Sequence, residues 1–203
     1  MKVGILAVQG DYDAHAAVLA RLGVEHVLVR RPAEMAGVDA LFLPGGESTT
    51  QLKFLAEKGL EEAIGDLAAR GGALFGTCAG TILLAREVKN PAQPSLGLVD
   101  LVVTRNAYGR QVASELSSGA CKLKDTLLEM VFIRAPVIEQ VGSGVEVLAE
   151  CGGQPVLVRQ GRVLAATFHP ELTSDTTVHE YFLKMAAEKS HVVLEPEQTK
   201  AGL

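Results

Sequence analysis

The sequence predicts an α/β protein: a mostly parallel sheet covered by helices on both faces, with antiparallel strands added along one edge. Three observations carry this. Short apolar, β-rich runs alternate with helical stripes through the first ninety residues, and the joins between them are short and marked by glycine. After Asn90 the strands follow one another without long helices between them, some across two-residue turns such as Gln160-Gly161. The chain of 203 residues suffices for one such domain with a sizeable core.

Lys2 to Val8 reads as the first strand and leads into the polar turn Gln9-Gly10-Asp11. Ala14, Ala17, Val18 and Leu22 then recur at helical spacing, with Gly23 as the C-cap. Val24–Val29 and Ala40–Leu43 are the next strands, the latter ending abruptly in Pro44-Gly45-Gly46-Glu47-Ser48, which leads towards a helix. Leu60, Ala63, Ile64, Leu67 and Ala68 form an amphipathic stripe closed by Gly71-Gly72. Gly72–Phe75 is a strand that runs into Gly76-Thr77-Cys78-Ala79-Gly80 and then Thr81–Leu84. The loop Asn90–Ser95 separates this half from strands expected at 98–103, 127–133, 145–149, 155–159 and 162–168. A last helix is expected near 175–188, with Val178, Tyr181, Phe182, Met185 and Ala186 on one face. Residues 1–189 are taken as one domain, and 190–203 as a weakly patterned, disordered tail.

Composition narrows the class. A net charge of −5 without runs of like charge offers no basic face for nucleic acid or an anionic membrane. No apolar run approaches the ~18 residues of a spanning helix. Met1–Ile5 passes straight into a strand, and Cys78, Cys121 and Cys151 are widely spaced and odd in number. The expectation is a cytoplasmic, reducing location without disulfides. No ligand spacing for a metal and no G-x-G-x-x-G or lysine-bearing P-loop is found, so neither metal nor cofactor is expected. Asp11, Asp13 and His15 cluster near the first loop and could suggest a metal, but a solvated helix N-cap is the preferred account of them.

The chemistry concentrates around Cys78. Strand, cysteine between glycines and helix is the nucleophile-elbow pattern with sulfur in place of a hydroxyl. Taken alone, the pentapeptide divides evenly between a catalytic thiol and a buried packing cysteine. A thiol nucleophile needs a base, and the base an orienting group. Of five histidines, only His169 ends an apolar strand, in Phe168-His169-Pro170-Glu171. Ligands collect at the carboxyl ends of parallel strands, so Cys78 and His169 would face one crevice. Glu171 would accept from the far ring nitrogen. Taken alone, His169-Pro170-Glu171 reads as an ordinary strand-end turn. Gly45-Gly46 after a strand fits an oxyanion hole, the Gly46 N–H being paired with that of Ala79; phosphate binding ahead of a helix and a plain tight turn are the rival readings. Cys121 and Cys151 are read as packing residues.

These three pieces together resemble the class I, triad-type glutamine amidotransferases, and the scaffold expected is flavodoxin-like. Within that group the chain is similar to glutaminase subunits of pyridoxal 5′-phosphate synthases. The narrower similarity rests on Ala7–Asp11, Gly46–Thr50, Arg105–Gln111, Phe132–Pro136 and His169–Thr173. Val112–Leu116 departs from it, lacking an aromatic beside the serine. The resemblance implies that Cys78 attacks the carboxamide of L-glutamine, that His169 and Glu171 complete the triad, and that Gly46 and Ala79 hold the oxyanion. It further implies glutamine contacts at Gly46, Glu47, Ser48, Arg105, Ile133 and Arg134. A γ-glutamyl thioester would be hydrolysed to glutamate, and ammonia passed to a (β/α)8-barrel synthase subunit in a large hetero-oligomer. The alternatives are a glutaminase feeding another synthase, such as that for imidazole glycerol phosphate, or a cysteine peptidase on the same scaffold.

Overall fold

A computed structural model describes residues 1–105 and 115–188. Residues 106–111 of the arginine-led motif, most of the divergent stretch after it and the expected tail lie outside the described residues. In chain order the elements are β1 (Val3–Leu6), α1 (Tyr12–Arg21), β2 (His26–Val29), β3 (Ala40–Leu43), α2 (Ser48–Lys58), α3 (Leu60–Ala69), β4 (Ala73–Thr77) and α4 (Ala79–Leu84). There follow β5 (Ala85–Lys89), β6 (Val99–Thr104), β7 (Glu115–Gly119), β8 (Leu128–Phe132), β9 (Val137–Val141), β10 (Glu146–Cys151), β11 (Gln154–Gln160), β12 (Val163–Ala166) and α5 (Thr177–Ala187).

The central sheet has seven strands in the order β10-β11-β12-β4-β3-β1-β2. The five from β12 to β2 are parallel, and β11 and β10 add antiparallel at one edge. The expected α/β class and its antiparallel edge are both present. Two of the strands expected at that edge lie elsewhere. β6 joins β5 and β9 in a separate three-stranded sheet, and β8 pairs with β7 alone. Local alternation marks a strand but not its partner, which is why the sequence placed them with the rest.

Burial explains the layers. Leu41, Leu43 and Leu74 point to a core with Leu55, Leu60, Ile64 and Leu67 of α2 and α3. Phe42 and Phe75, alternating with them along the same strands, point to a second core with Leu19 of α1 and Val178, Phe182 and Met185 of α5. Each parallel strand is therefore apolar on both faces, as its uninterrupted aliphatic run requires. No helix among the described residues is long and apolar enough to cross a membrane.

One pairing positions everything that follows. β4 and β12 are parallel neighbours, with Thr77 opposite Ala166. Their carboxyl ends therefore emerge side by side, although they are almost ninety residues apart in the chain.

Candidate active site

Cys78 caps α4 with φ 48° and ψ −103°, a backbone conformation that costs about 1–3 kcal/mol and persists where the surroundings enforce it. The enforcement comes from glycine. A Cβ on Gly80 would lie 1.9 Å from the carbonyl oxygen of Leu43, and one on Gly76 would lie 2.6 Å from the backbone of Gly80. The Cys78 N–H donates to Ala166 O at 2.8 Å, and Thr81 Oγ1 donates to the same carbonyl at 2.6 Å. The turn is thus tied directly to the end of the histidine strand.

His169 follows that strand and is held by its own N–H donating to Val131 O at 2.8 Å. Its Nδ1–H donates to Glu171 Oε1 at 2.7 Å, and the other side of the ring faces the sulfur of Cys78. His169 and Glu171 are 3% and 5% exposed, so neither reaches bulk water. Burial opposes a charge on the His169 ring, but the sulfur of Cys78 and the carboxylate of Glu171 outweigh it and raise its pKa to about 10. Burial likewise opposes the Glu171 carboxylate, yet the hydrogen bond from the charged His169 ring keeps its pKa below the usual range. Two groups that favour a positive charge on the imidazole thus flank it, one on each side.

An open cleft of about 100 Å³ lies over Cys78, lined by Gly46, Glu47, Ser48, Ile82, Arg105, Ile133, Arg134 and Pro136. Every residue expected to contact a substrate lies in it, from three separate parts of the chain. Ala79, with Gly46 the other expected oxyanion donor, opens α4 and is 1% exposed. Of the three non-glycine residues with positive φ among the described residues, Cys78 and Arg134 line this cleft, and Asn90 (φ 53°) begins the loop that carries Gln93. The Glu47 side chain is committed locally. It accepts from Thr49 N and Thr50 N at 3.3 and 2.7 Å, capping α2, and lies 3.3 Å from an Arg105 guanidinium nitrogen. Partial burial notwithstanding, the hydroxyls and backbone amides of Thr49 and Thr50, all donating to the carboxylate, lower its pKa to about 2. Gln9 accepts from Glu47 N at 2.9 Å, and Gln51 donates to Gln9 O and Pro44 O at 3.0 and 3.2 Å. The first and third strand-exit loops are thereby locked together beside the cleft.

Four residues that bear on the site escaped the sequence reading. Gln93, in a loop read only as a connection, accepts from Ser48 Oγ at 3.0 Å and from Arg105. Thr77 accepts from Gly45 N at 3.1 Å and donates to Glu171 Oε1 at 3.4 Å. His15 and His179 are fully buried behind Glu171. The account of Asp11, Asp13 and His15 as a solvated cap is corrected: Asp11 makes no side-chain cap bond, and His15 has no exposure. A signal for it existed, since His15, Val18, Leu19 and Leu22 share one helical face. Cys121 and Cys151 are half-buried free thiols, in keeping with packing residues.

These two histidines predict an acid sensitivity. Burial lowers the pKa of both, that of His179 to about 3, so they stay neutral in the fold. In the unfolded chain each takes up a proton near 6.5, so their contribution is complete above that value and is lost as pH falls below it, in the case of His179 down to about 3. Between pH 6.5 and 5, above the carboxylate range, urea midpoints should show stability falling as the pH drops, by up to about 1.4 kcal/mol per pH unit from His179, with His15 adding in the same direction. A flat profile across that window would contradict their neutral burial.

Comparison with known proteins gives concordant results. A sequence profile of the SNO glutamine amidotransferase family matches residues 5–188. A pyridoxal 5′-phosphate synthase subunit PdxT from Koribacter versatilis (strain Ellin345) is 57% identical over 185 residues, spanning 91% of this chain and 95% of the relative. The protein of the same name from Deinococcus radiodurans is 50% identical over 196 residues, 94% of this chain and all of the relative. Among solved structures, a glutamine amidotransferase crystal structure superposes with a TM-score of 0.86 at 50% identity, over 91% of this chain and 98% of that one. PurLQS from Thermotoga maritima, 15% identical with a TM-score of 0.68 over 90% of this chain and 97% of that one, shares the fold.

Proposed function

Since this chain belongs to the SNO glutamine amidotransferase family, a glutaminase that releases ammonia for pyridoxal 5′-phosphate synthesis, we propose that Cys78, His169 and Glu171 carry the hydrolysis. The observation that supports this best is the convergence on one cleft of Cys78, next to the buried His169–Glu171 pair, with Arg105 and Arg134.

Cys78 Sγ attacks the side-chain carboxamide carbon of L-glutamine, and the carbonyl oxygen becomes an oxyanion held by the Gly46 and Ala79 N–H groups. His169 Nε2 gives its proton to the departing nitrogen, which leaves as ammonia, and a γ-glutamyl thioester remains on the sulfur. The neutral ring then takes a proton from water as that water attacks the thioester. Glutamate departs and Cys78 is restored. Glu171 keeps the ring's Nδ1–H occupied throughout, so that Nε2 alone exchanges protons. Arg105 and Arg134 pair with the substrate carboxylate, a contact for which a guanidinium fork is suited. Ser48 and the backbone at Gly46, Glu47 and Ile133 complete the glutamine contacts. Gln93, bonded to both Ser48 and Arg105, fixes that subsite.

The protein works with a synthase subunit that consumes the ammonia. We propose that this partner is a (β/α)8 barrel, that many copies of both form one large complex, and that the location is cytoplasmic. Residues 1–189 are proposed to act as one amidotransferase domain. Assay of glutamate release from glutamine, with and without a pyridoxal 5′-phosphate synthase barrel subunit, tests this reading. Turnover that rises at least about tenfold with that subunit is the expected result. Stimulation instead by an imidazole glycerol phosphate synthase subunit, or peptide cleavage without glutamine turnover, would overturn it.

A further inference from the structure

Behind Glu171, on the side away from Cys78, lies a buried polar file that the triad does not include. His15 Nε2 is 3.1 Å from Thr77 Oγ1 and 3.7 Å from Glu171 Oε1. His15 Nδ1 is 3.1 Å from His179 Nε2. The two rings belong to α1 and α5, which are far apart in sequence, and both have no exposure. They are packed among Phe42, Phe75 and Phe182, with His179 nearly parallel to Phe42 at 5.6 Å between centroids. Two histidines facing each other in an aromatic core are costly unless they serve a polar neighbour, and the polar neighbour here is the triad carboxylate.

The hydrogen-bond directions can be worked out from the partners. Thr77 Oγ1 already accepts from the Gly45 N–H. If its hydroxyl also donates to Glu171 Oε1, then His15 Nε2 must carry a proton and donate to Thr77. His15 Nδ1 is then an acceptor and takes the Nε2–H of His179. The chain ends at His179 Nδ1, a bare lone pair, which lacks a partner among the described residues. The reverse order would end the file on a buried unpaired N–H and would deprive Glu171 Oε1 of a donor, which is the more expensive arrangement.

We propose that His15 and His179 are positioning residues for glutamine hydrolysis: as neutral Nε2–H tautomers they form, with Thr77, a one-directional donor chain that fixes the Glu171 carboxylate and, through it, the His169 ring. The inference rests on the glutaminase reading of the site. The chain gives Glu171 Oε1 a hydroxyl donor in addition to the His169 ring, so the carboxylate cannot rotate without breaking both bonds. It also links α1 and α5, which come from opposite ends of the described chain, to the strand-end turn that carries the triad. Asp11 and Arg21 are the remaining charges that act on the pair.

The test uses the full chain with its synthase partner. Glutamine Nε2 overlays histidine Nε2, asparagine Nδ2 overlays Nδ1, and leucine fills the volume without polarity. His15→Leu and His15→Asn should lower kcat roughly 10- to 100-fold with KM within about twofold, whereas His15→Gln should stay within about fivefold of the parent. Thr77→Val, of the same shape without a hydroxyl, should match His15→Leu, and the double variant should be no worse than either. A packing role would instead rank leucine above glutamine, and that order would overturn the proposal. Long-range 1H–15N spectra of the parent chain give a readout independent of turnover and of any variant that fails to fold. Both histidines should appear as neutral Nε2–H tautomers at pH 7, and an Nδ1–H tautomer at His15 would refute the chain. If the parent complex turns over no glutamine, the glutaminase reading fails, and the tautomers still decide the donor chain.

Discussion

Cys78→Ala is expected to reduce glutamate release by the full complex at least about 10⁴-fold, to the level of background hydrolysis. No other side chain in the cleft can form a thioester, and the oxyanion donors alone have no attacking atom to assist. Glutamine affinity should change by less than about threefold, because substrate recognition is assigned to Arg105, Arg134 and the Gly46–Ser48 turn, not to the sulfur. The fold should persist, since alanine retains the Cβ that the strained elbow already accommodates. Isothermal titration with glutamine and a coupled glutamate assay measure the two quantities separately. Residual turnover within about a hundredfold of the parent would mean that Cys78 is not the nucleophile. In that variant His169 also loses the neighbour that favours its charge, so its pKa should drop from about 10 towards the ordinary range.

Gly45→Ala is the second large effect, and it carries no change in chemistry. A Cβ at Gly45 would lie 2.3 Å from Cε1 of His169 and 3.0 Å from its Nδ1. The ring must turn or retreat, and either movement lengthens the 2.7 Å bond to Glu171 and misdirects Nε2 from the sulfur. Displacement of a catalytic group by about 1 Å can cost on the order of 10²-fold, and a loss of 10²- to 10³-fold in kcat is expected here. Stability should fall by only about 1–3 kcal/mol, the usual cost of overpacking. Gly80→Ala is the control for a purely structural collision. Its Cβ meets the carbonyl oxygen of Leu43 at 1.9 Å, a backbone atom that cannot swing away, so it should lower the melting temperature more than Gly45→Ala does. Equal kcat for Gly45→Ala and the parent would show that the ring has room the structure does not allow it.

The two variants separate what could be read at different levels. Cys78 was conspicuous because an elbow has a local signature: strand, cysteine between glycines, then helix. His169 stood out among five histidines because it alone closes an apolar strand. Gly45 was legible as half of a glycine pair, but its service to the His169 ring was not, because the ring arrives from a segment more than a hundred residues later. Gln93 and Thr77 were passed over for a similar reason. A glutamine in a proline-bounded loop and a threonine at a strand end are common residues, and their partners are set by packing.

What the sequence determined by itself were the elements and their chemistry. Alternating aliphatic runs dictate strands buried on both faces, helical stripes dictate the covering layers, and the glycines about Cys78 dictate a turn no other residue would tolerate. What only the tertiary structure decided was adjacency. β12 lies beside β4, not beside its chain neighbours alone, and this sets His169 next to Cys78. β6 and β8 leave the central sheet, and α1 and α5 bring two histidines together behind Glu171. The physical reason is that periodicity records which face of an element is buried, whereas partner choice depends on how all the buried faces fit at once.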